Sequence, residues 1–249
     1  MSNFYPSDES SWQYTQKAEN VDDLRRLIKD DRYLIGRDTS VLDGIYAGSY
    51  GGEAIVVDYN REHEFYDQIA DKVVDACLKQ DGVIDKSLIL ETVFKTVTEQ
   101  MPYSQAGVNE LNAKYSIKDY QKVSLAAYAH EGVGVCRHQA LLVTTILEIL
   151  KNRGIVRGTA SIDRSIQWPE DGDPEGHAWV RYTNNAGDVY IIDVAQQFIG
   201  TLEESQSQSR GWNYLRPGET IAAKPKVVMD IGKTSTSGLI EVPDWVKNS

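Results

Sequence analysis

The sequence predicts an α+β protein, and three observations carry that prediction. Residues 136–152 form an apolar run at helical spacing, residues 177–194 hold two β-rich runs around a turn of Asn and Gly, and helical segments alternate with short β runs upstream. At 249 residues the chain is long enough for one domain with accessory segments or for two small ones. Apolar residues make up 41% and charged residues 25%, globular proportions that exclude disorder as the main state.

Taken in order, Asn20 before Val21-Asp22-Asp23 reads as a capped helix start, with Leu24, Leu27 and Ile28 on one face of a short helix ending near Asp31. From Tyr33 to Tyr59 the pattern is β-rich and broken by Gly44, Gly48, Gly51 and Gly52, as in a β-hairpin or small meander. Residues 62–80 return to helical spacing, with Phe65, Ile69, Val73 and Ala76 or Cys77 on one face, so Cys77 is expected in the core as an inert thiol. Asp85 can cap a further helix carrying Leu88, Val93, Phe94 and Val97 and broken before Pro102. The polar stretch 104–118 reads as a long surface connection.

The run from Cys136 to Asn152 carries one stripe of Ala140, Val143, Leu147 and Leu150 and a second of Leu142, Ile146 and Ile149. A helix apolar on most sides belongs in the centre of a fold, and Gly154 has the position of its stop. A β-like run over 155–162, an acidic loop, a strand over 177–182, a turn and a strand over 188–194 follow. The Ser/Gln run 204–209 reads as a linker, and the remainder, with Pro217, Pro225 and Pro243, has weak periodicity.

Lys+Arg number 26 against 37 Asp+Glu, a formal charge of −11. That balance argues against a nucleic-acid partner, which needs a basic stripe, and against docking on anionic membranes. No stretch reaches the ~18 apolar residues of a spanning helix, and MSNFYPSDES lacks the basic and apolar regions of a secretory leader. No membrane insertion and a cytoplasmic setting are therefore expected, with non-classical export left open. The two cysteines, Cys77 and Cys136, fit a reducing compartment and show neither disulfide-scaffold nor metal-ligand spacing, so no metal or organic cofactor is expected.

Cys136 follows Gly132-Val133-Gly134-Val135 at a predicted helix N-terminus, where unpaired N–H groups and the helix dipole favour a thiolate. A free Cys in that position could equally be a small buried hydrophobe. The hairpin downstream adds a base and its orienter. With residues 183–187 as the loop, Tyr182 falls opposite Asp188, Val180 opposite Tyr190, and His177 opposite Asp193, side by side for an Nδ1–H to carboxylate hydrogen bond. Nucleophile, base and orienter are then all present. His138, two residues past Cys136 and about 200° around the axis, is expected to be structural. His63 and His130 have no partner pattern. The Cys136 N–H is the natural first oxyanion donor. Tyr103, Gln196 and the neighbouring Gln197 are candidates for a second, and Trp168 could cover the site.

The segments Gly134-Val135-Cys136, Gly154-Ile155-Val156-Arg157-Gly158, Gly176-His177-Ala178-Trp179-Val180 and Val189-Tyr190-Ile191-Ile192-Asp193 resemble the transglutaminase-like superfamily. The resemblance implies a papain-like core at about 85–205, with the Cys-bearing helix packed on an antiparallel sheet. Residues 1–84 then form an accessory helix and hairpin region, and residues 206–249 an extension of uncertain structure. It further implies a Cys136, His177, Asp193 triad that forms a thioester on an amide-bearing substrate. Arylamine N-acetyltransferases share the order but carry Arg-Gly-Gly before the Cys, and NlpC-type peptidases carry Ser-Gly where this chain has Arg137-His138.

A protein or peptide substrate is expected. The residues Asp163, Glu170, Asp171, Asp173 and Glu175 before the His strand would favour basic ones if that loop edges the cleft. Hydrolysis, as a peptidase or glutamine deamidase, is favoured over acyl transfer to amines because no acceptor-presenting domains are recognisable. A catalytically silent binding module is the alternative of a different class, and the presence of all three residues weighs against it.

Overall fold

The computed structural model describes residues 32–47, 52–167, 175–208 and 212–221. The helix expected over 21–31, Trp168 and the chain beyond 221 lie outside the described residues. Strands β1 (Ile45–Ala47) and β2 (Ala54–Val56) lead into helix α1 (Tyr59–Ala76). A 3-10 turn (Lys86–Leu88) opens α2 (Ile89–Gln100), followed by α3 (Gln105–Lys114), β3 (Lys122–Ser124), α4 (Leu125–Glu131) and α5 (Cys136–Asn152). Then come β4 (Thr159–Gln167), β5 (Glu175–Thr183), β6 (Val189–Asp193), β7 (Phe198–Thr201) and α6 (Leu202–Ser207). The described residues thus form a mixed α+β fold of six α-helices and two sheets. None of these helices is long and apolar enough to cross a membrane.

Helix α5 is the centre of the fold, as its double apolar stripe requires. Leu141, Leu142, Val143, Ile146, Ile149 and Leu150 are all buried, each side chain contributing about 1.5–3 kcal/mol of hydrophobic stabilisation. Strands β4 and β5 pack on one side of it and α1 and α2 on the other. The larger sheet is antiparallel throughout, in the order β4-β5-β6-β7. Alternation along its strands splits it into two apolar faces. Ala178, Val180, Tyr182 and Ile192 join the α5 core, whereas Trp179, Ile191, Phe198, Leu202 and Tyr214 form a second cluster on the other face.

In the smaller sheet β1 pairs antiparallel with β2, and β2 pairs parallel with β3. Ile35, Val41, Ile55 and Val57 from this region share the core of α5. Glu148 of α5 ties the preceding loop down through Ser40 Oγ at 2.7 Å and the Val41 N–H. Cys77 is buried at the end of α1 as expected, with burial pushing its thiol pKa up.

Three expectations change. The stretch 104–118 is not a connection but contains α3, started by Ser104 Oγ accepting from the Gly107 N–H at 2.9 Å. Only Val108 and Leu111 of that helix are buried, too few to leave a clear apolar period. Residues 204–209 are not a linker at their start, because Thr201 and Glu204 form a capping box that opens α6. The β run expected over 155–162 begins at Thr159 and extends to Gln167, which places Asp163 inside a strand, fully buried, and not on an acidic loop.

Candidate active site

Local geometry first fixes the cysteine. Helix α4 ends at Gly132 in the left-handed region, and two residues of turn separate it from Val135, the N-cap of α5. Gly134 lies where a Cβ would come within 2.4 Å of the buried Met101 Sδ. The close approach lets the Ser104 N–H donate to the Gly134 carbonyl at 2.8 Å and brings Tyr103 alongside. Cys136 is therefore the first residue of α5, partly exposed, with a backbone N–H that has no acceptor within the helix.

The hairpin β5–β6 supplies the other two groups. Its register pairs Val180 with Ile192 and Tyr182 with Tyr190, a slip of two residues from the expected pairing. The turn is centred on Ala186, held by Asn184 Oδ1 accepting from the Ala186 and Asp188 N–H groups. A slip of two conserves the face, so His177 and Asp193 still meet, diagonally and not directly opposite. His177 Nε2 lies 2.6 Å from Asp193 Oδ2. The expected Nδ1 contact is thereby corrected: Nε2 takes the carboxylate, which leaves Nδ1 free of Asp193. Both His177 and Asp193 are buried.

The charges in this cluster are mutually supporting. Burial works against a Cys136 thiolate, but the His177 hydrogen bond and charge, the Ala178 N–H and Arg137 outweigh it and hold the thiol below its ordinary pKa. Burial likewise works against the imidazolium, and Asp193 and Cys136 push His177 up to about 10. The arrangement can hold a thiolate–imidazolium pair, which makes a nucleophile and a proton donor of the same two groups.

A buried polar group backs the cysteine. Glu53, 4% exposed, receives Arg137 Nε at 2.8 Å and has His138 Nε2 at 3.1 Å. His138 Nδ1 accepts from the Val135 N–H at 3.3 Å and its ring packs on Tyr128, so His138 is structural, as expected. Burial opposes the Glu53 charge, yet His138 and Arg137 hold its carboxyl well below the usual range. His130 packs on Phe65, and the His63 ring meets Tyr59 edge-on.

The remaining candidates are unequally placed. Tyr103 is 54% exposed and close enough to Cys136 for the thiolate to raise its phenol pKa, after burial, the larger cause. Gln196 is exposed, and its contribution is a backbone N–H donated to Asp193 Oδ1 at 3.0 Å. Gln197 donates to the Val194 carbonyl. Asp163 is bound by Arg216 and lends no free charge to a cleft. A cavity of about 340 Å³ lined by Ile89, Ile155, Arg157 and Tyr182 opens at the turn end of the hairpin, away from His177.

Sequence reasoning missed the segment 212–221. Trp212 stacks on the His177 ring, with centroids 4.7 Å apart and planes at 23°. Tyr214, fully buried, donates its hydroxyl to Asp193 Oδ2 at 2.9 Å. The signal was the spacing Trp212-x-Tyr214, which puts two aromatic rings on one side of an extended chain. No protein-family model and no curated protein matches this chain.

Proposed function

We propose that the chain is a cysteine enzyme of transglutaminase-like type, with a papain-like core, that attacks amide carbonyls through a thioester and passes the acyl group to water. One observation carries this reading: His177, whose Nε2 is 2.6 Å from Asp193, stands close enough to Cys136 at the start of α5 to hold its thiol below the ordinary pKa. The Cys136 thiolate adds to a peptide or side-chain carboxamide carbonyl, forming a C–S bond and an oxyanion that the Cys136 N–H can receive. The C–N bond then breaks, and His177 gives its proton to the departing nitrogen. His177, now neutral, takes a proton from water; the hydroxide adds to the thioester, and the C–S bond breaks to return the thiolate. Peptides and glutamine side chains are the substrates this scheme takes.

The test is the pH dependence of alkylation at Cys136, resolved from Cys77 by mass spectrometry, in the wild type and in His177→Ala. A free thiol titrates near pH ~8.5. We expect fast labelling of Cys136 below pH 6 that His177→Ala abolishes, and release of ammonia or a new amino terminus from amide substrates. Ordinary labelling at both cysteines in both proteins would remove the basis for this function. Faster incorporation of a primary amine than of water would reassign it to acyl transfer.

A further inference from the structure

We propose that Tyr214 is a positioning residue of this site: its hydroxyl, donated to the Asp193 oxygen that also receives His177, fixes the carboxylate and draws off part of its charge. The inference rests on the function proposed above. Asp193 is buried and, among the described residues, has three donors, the Gln196 N–H on Oδ1 and both His177 Nε2 and the Tyr214 hydroxyl on Oδ2. Two donors on one oxygen compete for its electron density. Without Tyr214 the whole charge of Oδ2 would fall on His177, and the imidazolium would become a poorer acid toward the leaving nitrogen. General acids work best when their proton affinity is matched to the group they protonate, so a carboxylate left unshared would hold the proton too tightly.

The surroundings make the phenol a fixed donor. Its ring stands edge-on to Trp179, with centroids at 5.1 Å, and stacks on Phe198 at 6.0 Å. Trp212 stacks on the His177 ring from the same segment. Two residues further on, Arg216 grips Asp163 and Asp38, and Glu219 pairs with Arg181 of β5, which locks the segment against the sheet. The other titratable or charged groups around the pair are Cys136 and Arg137 from α5, with Tyr103 beside them. None of these three touches Asp193 among the contacts of the described residues, so beside His177 and the Gln196 N–H it is Tyr214 that acts on the carboxylate.

The experiment follows His177 by NMR of carbon-labelled histidine, assigned with His177→Ala, alongside the Cys136 alkylation profile. In Tyr214→Phe, which keeps the ring packing, the His177 titration should move up by about half a pH unit or more, with the acid limb of Cys136 labelling unmoved. In Tyr214→fluorotyrosine, a stronger donor of the same shape, it should move down. An unmoved or lowered titration in Tyr214→Phe overturns the proposal, as does an equal shift in Phe198→Leu, which loosens the packing and spares the hydroxyl. If wild-type Cys136 alkylates as an ordinary thiol, the proposed function fails first and this inference with it. If only the Tyr214 variants are silent, the function stands without it.

Discussion

The ion pair proposed for Cys136 and His177 has a signature in stability. His177 is raised from 6.5 to about 10 in the folded chain, so its contribution is complete below pH 6.5 and is lost as pH rises toward 10. Cys136 is lowered from 9.0, so its contribution is complete above pH 9 and is lost as pH falls below it. Between pH 6.5 and 9, wherever the pH also lies above the lowered Cys136 value, the folded pair would hold one proton on His177 while the unfolded chain holds one on Cys136, so the two slopes oppose each other. Removing the thiol removes the opposing slope. In Cys136→Ala, Asp193 still holds His177 high, and stability should decline from pH 6.5 upward relative to wild type, by up to about 1.4 kcal/mol per pH unit. Urea unfolding of both proteins from pH 6 to 9 measures the difference. Parallel curves would mean that the two groups do not share a proton.

At the scale of elements, the parts that read clearly from sequence are those whose pattern is local. Helix α5 has the predicted bounds because its apolar stripes repeat over four turns and glycines flank it. The hairpin survived an error in its turn, since a two-residue slip returns His177 and Asp193 to one face. Helix α3 was hidden by its polarity and β3 by its length of three residues. Glycines in the quoted motifs divide in the same way, and the structure separates them. At Gly134 a Cβ would strike the side chain of Met101, which is fully buried, and would press on His138 Cβ at 3.2 Å. At Gly176, beside His177, nothing lies within 4 Å of that position. Gly134→Ala should therefore destabilise the fold by about 1–3 kcal/mol, as overpacking does, whereas Gly176→Ala should stay within about 0.5 kcal/mol of wild type. Thermal melts of the two variants test the assignment, and equal losses would contradict it.

The whole molecule is closed by contacts that no local pattern could announce. Arg216 reaches Asp163, 53 residues away, through Nε and Nη2 at 2.8 Å each, and Asp38, 178 residues away, through Nη1 at 3.0 Å and Nη2 at 2.8 Å. A Pro-flanked arginine after a Ser/Gln run carries no sign of this, because the partners are set by the sheet and not by spacing. Asp163 is fully buried, and burial keeps its pKa above the ordinary value even with Arg216 opposing the shift. Arg216→Ala would leave that carboxylate buried without its counter-charge, a loss of about 3–5 kcal/mol when the group is ionised. The same substitution frees the segment that carries Trp212 and Tyr214, so low-pH labelling of Cys136 should weaken with it. Protonation is the escape route for Asp163. A carboxylate whose folded pKa is raised favours folding most at low pH and loses that advantage as pH rises, so the defect should be large at pH 7.5 and shrink toward pH 5. Asp163→Asn placed on Arg216→Ala should recover part of the stability at pH 7.5 and little at pH 5. Urea melts of the single and double variants at both values decide the matter: a defect independent of pH, with no recovery, would mean that Arg216 works through Asp38 and packing and not through the buried Asp163.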